Sequence, residues 1–244
     1  MPAPELLLQG LGISRPEQIE LDVIAWTRGL EIEFRHMNGC DARIVGRGDR
    51  GVLTVNSRQT PERQRFSVAH ELGHWELHRG ALMLCRDDDI DIPRAQARAH
   101  ERDADAFAAA LLMPAYLFVP AFEESTSRDP WRTVMRLSEV FRTSLLATAF
   151  RTVNLGLWDG WLVCHSATGR NWFRAAPSRL QDAFPRRDLD PRTPAFDAVY
   201  AKRAPRAVLE LPADTWFEHA HRRRIIEATR IYGDSALSFI RFLA

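Results

Sequence analysis

The first third of the chain changes from helical to strand-like spacing of its hydrophobic positions. Ser14-Arg-Pro-Glu17 has the form of a capping box, and the apolar positions behind it predict an amphipathic helix that runs to about Gly29. Three strand-like runs follow, EIEFRHM, ARIVG and GVLTVN, separated by Asn38-Gly39 and by the turn-rich GRGDRG. The pattern predicts a helix followed by a small sheet.

Two longer helices are predicted next. Thr60-Pro61 marks a helix start with proline at the first helical position, and a 3.6-residue period then runs through HELGHWELH to Gly80. After the irregular stretch ALMLCRDDDIDIP, a second helix is predicted from Arg94 to Met113, where Pro114 stops it. A helix, a small sheet and two further helices are typical of the α+β class.

The second half of the chain has a different pattern of hydrophobic positions. The stretch PAFEESTSRDPW predicts a boundary, and WRTVMRLSEVFRTSLLATAFRTV predicts two short helices joined around Thr143-Ser144. Strand-like runs then dominate, LGLWDGWLVCHSA, RNWFRA, RAVLEL and ALSFIRFL, with a helix predicted for EHAHRRRIIEATRIY. The predicted domains are residues 1–125, a helix-turn-helix-like segment at 126–153, and a small α+β module at 154–244 for sensing or substrate recognition.

Composition narrows the class of protein. The 244 residues carry a formal net charge of +1, which provides no general attraction to nucleic acid or to a membrane surface. No apolar run has the length of a membrane span, and the N-terminal MPAPELLLQGLG lacks the features of a signal peptide. Three scattered cysteines without a CxxC motif are typical of reduced thiols. We therefore expect a cytoplasmic protein that does not bind membranes.

The motif HELGH predicts a metal site. His70 and His74 lie four residues apart on one helical face, so both imidazoles can be directed at one ion. Glu71 lies beside the first histidine, where its carboxylate can act as a base, and Gly73 permits the close approach of another backbone. His78 is rotated by about 80° from His70 around the helix, so we expect a helix-end histidine there and not a ligand.

The second long helix provides the missing ligand. Glu101 and Asp105 share a face with Ala108 and Leu112. An ionised glutamate on an otherwise apolar face is costly unless it is paired or coordinates a metal, so Glu101 is predicted to be the third ligand. Asp105, one turn later, is predicted to accept a hydrogen bond from the free ring nitrogen of a ligand histidine.

Together, RQRFSVAHELGHWELH, LTVN and ERDADAFAAALLMP resemble the ImmA/IrrE family of zinc-dependent endopeptidases, with the gluzincin arrangement of HExxH followed by a glutamate. The resemblance covers about residues 15–118. It implies a zincin-like core with small sheet and two active-site helices, zinc (replaceable by Mn²⁺ or Fe²⁺) on His70, His74 and Glu101, and Glu71 as the general base. Many members carry Asn where this chain has Asp105, and either side chain can accept the hydrogen bond.

Members of that family are cytosolic enzymes that cut a helix-turn-helix transcriptional repressor, so the resemblance implies a role in transcription regulation and stress response. The strand GVLTVN is the expected edge for an extended substrate. Tyr116 and His100 lie near the site in sequence and are candidates for stabilising the oxyanion. The acidic run Arg86–Asp89 is interpreted as a solvated loop.

The alternative is a metal-containing regulatory protein that binds DNA or a protein partner without cutting it. Its basis is the arginine-bearing helix pair with Arg132, Arg136, Arg142 and Arg151. Because the whole chain is nearly neutral, we favour packing of this pair on the core over direct DNA binding. The basic cluster of His219, His221 and Arg222–Arg224 is interpreted as a solvated face or a protein-partner surface.

Overall fold

The chain divides into two units. The first comprises Met1–Pro120 and Ser138–Ser144, and the second comprises Ala121–Leu137 and Leu145–Ala244. The computed structural model describes residues 4–78, 94–180, 183–203, 208–218, 220 and 223–243, with the backbone alone for 94–97. Cys85 and the acidic run at 86–89 lie outside the described residues, as do His219, His221 and Arg222.

Three short helical elements open the first unit: α1 (Pro4–Gly10), a 3-10 turn (Pro16–Gln18) and α2 (Leu21–Thr27). The prediction of one continuous helix from Ser14 to Gly29 is therefore wrong. The Gln18 side chain accepts hydrogen bonds from the backbone N–H groups of Ser14 and Arg15, at 2.9 and 3.0 Å. These bonds close a tight turn at the capping-box position, and the α-helix begins only at Leu21.

The predicted three-stranded sheet is present, with strands β1 (Leu30–Arg35), β2 (Ala42–Arg47) and β3 (Arg50–Asn56). β1 pairs parallel to β3, β2 pairs antiparallel to β3, and the order is β1-β3-β2. Ile44, Leu53 and Val55 are buried on one face. The expectation that GVLTVN is a free edge is wrong, because β3 has a partner on both sides and the edge strand on the cleft side is β2.

Two long helices pack against each other behind this sheet, α3 (Pro61–His78) and α4 (Arg94–Leu112). Both match the predicted helices, which confirms the Thr60-Pro61 start and the Pro114 stop. Gly73 is the point of closest approach, since an added Cβ would lie 3.1 Å from Phe107 Cβ and 3.2 Å from the Ala104 backbone. The glycine therefore allows α4 to approach the middle of α3.

Three helices follow: α5 (Ala115–Ser125), α6 (Pro130–Phe141) and α7 (Leu145–Asn154). The turn between α6 and α7 lies where it was predicted. The predicted boundary stretch from Pro120 is helical as far as Ser125, because α5 continues through the proline. Within the described residues, no single helix can span a membrane by length and composition, and Arg98–Leu112 with Ala115–Ser125 meets these criteria only as a pair bent by 58°.

The second unit contains a five-stranded antiparallel sheet of order β5-β4-β8-β7-β6. Its elements are β4 (Trp161–Ser166), β5 (Gly169–Ala175), α8 (Pro194–Tyr200), β6 (Leu209–Pro212), β7 (Arg224–Tyr232) and β8 (Ser235–Phe242). Trp161 and Trp216 lie in one buried cluster, and Trp158 lies in another. These three tryptophans are core residues, as expected, while Trp172 is only partly buried.

The helix predicted for EHAHRRRIIEATRIY is wrong over its second half. Residues 224–232 form strand β7, which pairs with β6 on one side and β8 on the other. The run contains the β-branched residues Ile225, Ile226, Thr229 and Ile231, which suit a central strand covered on both faces. α8 was not predicted, although Thr193 caps it by accepting a hydrogen bond from Phe196 N–H at 3.2 Å.

Candidate metal centre

Three side chains from α3 and α4 meet at one point. The Nε2 atoms of His70 and His74, one helical turn apart, lie 3.0 Å from each other. The two carboxylate oxygens of Glu101 lie 3.3 Å from these nitrogens, Oε2 from His70 and Oε1 from His74. The structure thus brings together the three residues that were predicted to be ligands, within one group of ligand atoms.

The donor set fits a zinc ion. A tetrahedral ion with ligand bonds of about 2.0–2.1 Å has ligand atoms about 3.3 Å apart, and the three separations here are 3.0–3.3 Å. Burial, followed by the neighbouring His70, lowers the pKa of His74 to about 4, so this imidazole is neutral near pH 7. A neutral ring has a lone pair available for an ion. Among the described residues, the group that could hold a metal ion consists of these three side chains. Catalytic zinc sites have three protein ligands and one position for water.

Glu101 is more exposed than the sequence-based prediction assumed. Its side chain is 61% exposed and that of Asp105 is 59% exposed, whereas His74 is 8% exposed. The premise that Glu101 is buried on an apolar face is therefore wrong. This end of α4 borders an open cleft, and the helix face becomes apolar only from Ala104 onward, where Ala104, Phe107 and Ala108 are buried.

Each histidine has a hydrogen-bond partner on its second ring nitrogen. Nδ1 of His70 lies 3.0 Å from Asp105 Oδ1, the contact predicted for this aspartate. Nδ1 of His74 lies 3.3 Å from Nδ1 of His78, a contact that was not predicted. The signal was present in the sequence, because His78 follows His74 by one helical turn.

Glu71 lines the same cleft, which has a volume of about 430 Å³ and also includes Asp41, Arg63 and Phe66. Burial raises the pKa of Glu71 to about 7, with a further rise from Glu101 and an opposing effect of His70. A carboxyl group with a pKa near neutrality can both accept and return a proton near pH 7. The cleft therefore brings three side chains that could hold a metal ion close to a carboxyl group that can exchange a proton near pH 7.

The family model of Peptidase M78, the IrrE N-terminal-like domain, matches residues 28–153, more than half of the chain. The chain belongs to this family. A curated relative, the radiation response metalloprotease IrrE of Deinococcus radiodurans, is 32% identical over 99 residues, which are 38% of this chain and 27% of that protein. The chain thus spans about a quarter of the length of this relative.

The fold of this Peptidase M78 member also has a solved counterpart. A Mycobacterium tuberculosis transcriptional regulator superposes with a TM-score of 0.63 at 18% identity, over 99% of this chain and 86% of that one. At this level of identity the likeness shows the fold alone. As a member of a peptidase family with a metalloprotease relative, the chain is expected to contain a metal, and His70, His74 and Glu101 are where it would bind.

The two candidates for oxyanion stabilisation in this Peptidase M78 chain point elsewhere. The Tyr116 hydroxyl donates a hydrogen bond to the carbonyl oxygen of Ile13 at 2.8 Å. His100 stacks on His78, with ring centroids 4.1 Å apart. Neither side chain is among those that line the cleft. The geometry therefore gives no support to an oxyanion role for Tyr116 or His100.

The helix pair in the M78 match is poorly suited to reading DNA. In a helix-turn-helix the second helix enters the major groove, so its outer face must be accessible. α7 has no exposed residue from Leu145 to Val153. In the turn before it, the Arg142 guanidinium donates to Glu20 at 3.1 Å. Both observations favour packing of the pair within the protein over direct readout of bases.

The described part of the C-terminal basic cluster is engaged inside the second unit. The guanidinium of Arg223 lies 3.4 Å from the ring centroid of Phe242, a cation–π contact. Arg224 lies 3.8 Å from Glu210. These contacts agree with the interpretation of the cluster as part of a protein surface and give no indication of a phosphate site.

Proposed function

We propose that this chain is a zinc-dependent metallo-endopeptidase with a zincin-like core. The observation that carries the proposal is the convergence of His70, His74 and Glu101 in a cleft that Glu71 also lines. A site that only bound metal for structural purposes would be closed by a fourth protein ligand and would not require a base. Zinc is the proposed metal because two imidazoles and one carboxylate are typical of its catalytic sites, and Mn²⁺ or Fe²⁺ can occupy similar sets.

The residues divide the work of peptide hydrolysis between them. When bound, zinc supplies a Lewis acid for the scissile carbonyl and lowers the pKa of water toward about 7. Glu71 accepts the proton of the attacking water and delivers it to the leaving amine nitrogen. Asp105 fixes the tautomer of His70 by accepting a hydrogen bond from its Nδ1–H. Tyr116 and His100 do not line the cleft and do not supply a hydrogen bond to the oxyanion.

The edge strand β2 is the proposed docking site for an extended substrate. Ala42, its first residue, lines the cleft together with Asp41. Arg63 at the start of α3 pairs with Asp41, and its guanidinium lies 5.6 Å from the ring centroid of Phe66. A peptide that adds to a sheet edge is held by backbone hydrogen bonds, while pockets select its side chains. We expect Asp41, Arg63 and Phe66, which line the cleft beside β2, to select the substrate side chains.

The proposed substrate is a helix-turn-helix transcriptional repressor in the cytoplasm. The ImmA/IrrE resemblance supports this, and the relative's name, a radiation response metalloprotease, agrees with a protease that regulates a stress response. We propose that residues 1–125 form the peptidase domain, and that the helix pair at 126–153 and the module at 154–244 help to select the substrate. Multi-point contact of this kind increases discrimination between substrates.

A non-cleaving regulator that binds DNA through the helix pair is the weaker candidate. The second helix of the pair, α7, has no exposed residue from Leu145 to Val153. A base such as Glu71 has no use in a protein that only binds. A partner-binding role for the second unit is compatible with the peptidase proposal, because substrate capture is itself partner binding.

The proposal is tested by incubating the zinc-loaded protein with casein and with helix-turn-helix repressors from neighbouring genes. We expect one or few cuts in a repressor and negligible digestion of casein, detected by intact-mass spectrometry. Glu71→Gln is the matched control, because the amide cannot accept the proton, and its cleavage rate should fall about 10²–10⁴-fold with fold and metal retained. Rapid multi-site digestion of casein would contradict the narrow specificity, and near-normal cleavage by Glu71→Gln would contradict the mechanism.

A further inference from the structure

The ring of His74 is held between two sets of contacts. Its Nε2 atom faces His70 and Glu101, at 3.0 and 3.3 Å, on the side of the proposed ion. Its Nδ1 atom faces away and lies 3.3 Å from Nδ1 of His78. The His78 side chain is only 10% exposed, so water competes weakly for this contact.

With an ion bound at Nε2 of His74, these distances determine which ring nitrogens carry protons. A ring that offers the lone pair of Nε2 to an ion carries its proton on Nδ1, and a buried N–H requires an acceptor. In the described part of the chain, Nδ1 of His78 is in reach of that proton. His78 can accept it only as the neutral tautomer with its own proton on Nε2, and this Nε2 lies 3.9 Å from Asp103 Oδ2.

Two side chains of α4 lie beside the His78 ring. His100 stacks on it with an interplanar angle of 27° and a centroid distance of 4.1 Å. Asp103, on the next helix, supplies a carboxylate on the far side of the ring. The ring is therefore stacked on one face, and its Nδ1 edge is left for His74.

We propose that His78 is a positioning residue that fixes the tautomer and orientation of His74, as Asp105 does for His70. The two predicted histidine ligands would then each have a dedicated acceptor, one a carboxylate from α4 and the other an imidazole from α3 itself. His78 does not enter the set of ligand atoms and acts through His74. This inference rests on the proposed metal site.

The test is a near-isosteric series at one position. Zn²⁺ affinity is measured by competition with a chromogenic chelator for the wild-type full-length chain and for His78→Leu, His78→Asn and His78→Asp. Loss of an acceptor to a ligand histidine typically weakens metal binding about 10–100-fold, so we expect that loss for His78→Leu. Asn and Asp place an acceptor oxygen near the position of Nδ1, so both should lose less than the roughly 10-fold that is the lower bound expected for His78→Leu.

His100→Leu is the matched control. It removes the stacked ring without removing the acceptor, so its loss of affinity should be clearly smaller than that of His78→Leu. Equal losses for His100→Leu and His78→Leu would show that packing matters and would overturn the proposal. Equal Zn²⁺ affinity for Leu, Asn and Asp at position 78 would overturn it as well. Failure of the wild type to bind Zn²⁺ would instead overturn the metal site itself.

Two spectroscopic readouts separate positioning from folding. In the zinc-loaded wild type, two-bond ¹H–¹⁵N spectra of the imidazoles should show His74 protonated on Nδ1 and His78 protonated on Nε2. The visible absorption of the Co²⁺-substituted protein should change in His78→Leu and recover in His78→Asn. A His78 ring protonated on Nδ1 in the loaded wild type would overturn the proposal even if His78→Leu fails to fold.

Discussion

Glu101 is the most exposed of the three proposed ligands, yet it is the one that connects the two helices of the site. It contacts both histidines of α3 from α4, at 3.3 Å each. We expect Glu101→Gln to weaken metal retention more than His78→Ala does. The first change removes an anionic ligand, whereas the second removes only the hydrogen-bond acceptor of the ligand His74. Elemental analysis after dialysis against a weak chelator measures this. Full retention in Glu101→Gln with loss in His78→Ala would contradict the ligand assignment.

Glu227 is a buried acid in the second unit with no charged hydrogen-bond partner among the described residues. It accepts hydrogen bonds from Trp216 Nε1–H and from the Thr229 hydroxyl, both at 2.6 Å, and from Ala195 N–H at 2.9 Å. Burial raises its pKa to about 7, and these three bonds only partly oppose that rise. Since the unfolded carboxyl group loses its proton at about pH 4.3, the native state alone keeps the proton between that pH and about 7.

The Glu227 carboxyl group should therefore lower the stability of the second unit as the pH rises from about 5 to 8, because it keeps a proton in the folded protein that it loses in the unfolded chain. Burial lowers the pKa of His165 in the same unit to about 4, so this histidine acts in the opposite sense up to about pH 6.5. We expect the Glu227 contribution to the pH dependence to be lost in Glu227→Gln and retained in Glu210→Gln, which changes an exposed acid on the neighbouring strand. The difference can reach about 3 kcal/mol. Urea unfolding followed by tryptophan fluorescence measures it, since five of the seven tryptophans lie in this unit. Equal slopes in both variants would contradict the prediction.

How far the site could be predicted depended on helical geometry. His70 and His74 could be identified because a four-residue interval places side chains on one face without any knowledge of the fold. Glu101 and Asp105 required two helices to meet, which Gly73 indicated. The His74–His78 contact was not predicted, although the same four-residue interval separates these two histidines. Exposure of Glu101 could not be predicted, since it depends on where the sheet and helices leave an open cleft.

Helices α3 and α4 approach each other most closely at Gly73. An added Cβ would lie 3.1–3.2 Å from Phe107 and from the Ala104 backbone, which is closer than most real contacts. Alanine would raise the helix propensity of α3 by about 1 kcal/mol, but it would push α4 away and displace Glu101 from the two histidines. We expect Gly73→Ala to lower Zn²⁺ affinity without a matching loss of helicity.

Gly10→Ala provides the control for Gly73→Ala, because that glycine ends α1 and an added Cβ there meets nothing within 4 Å. Isothermal titration of Zn²⁺ into the three metal-free proteins measures the effect, with circular dichroism to follow helicity. If Gly73→Ala binds Zn²⁺ as tightly as Gly10→Ala, the helix spacing does not set the geometry of the site.

Helices and strands were predicted correctly where one or two residues determine the local structure. Thr60-Pro61 correctly predicted the start of α3, and the same dipeptide at Thr193-Pro194 begins α8, where it was overlooked. The mistaken helix over β7 arose from the charged residues before Ile225, although the β-branched residues behind them decide the structure. The central position of β3 was not predictable locally, because strand order depends on which strands meet.

The first unit is built from two separate stretches of chain. Ser138–Ser144 belongs to it, and the rings of Phe141 and Phe118 lie 5.2 Å apart. The Thr143 hydroxyl lies 3.6 Å from the sulfur of Met113. A chain truncated after Phe122 loses these contacts, while one truncated after Asn154 keeps them. We expect the longer truncated chain to be more soluble and to melt at a higher temperature.

Both truncated chains should bind about one equivalent of Zn²⁺ when folded, because all proposed ligands precede residue 106. Differential scanning fluorimetry and metal analysis measure the two properties. Loss of metal from a folded chain ending at Asn154 would show that a ligand or an essential supporting group lies in the C-terminal module. Equal melting temperatures for the two chains would show that the returning segment contributes nothing to the first unit.

The return of Ser138–Ser144 to the first unit also restricts how such a protein can exchange its tail during evolution. A single gene crossover between residues 120 and 138 would separate Phe141 from Phe118, so a hybrid made there begins with a damaged core. A crossover after Ser144 preserves that core but retains Trp131, whose indole N–H donates to the Ala228 carbonyl in the present tail. An incoming tail must then provide a new acceptor and a new pocket for that indole. Lineages with unrelated tails are therefore expected to differ at position 131 as well.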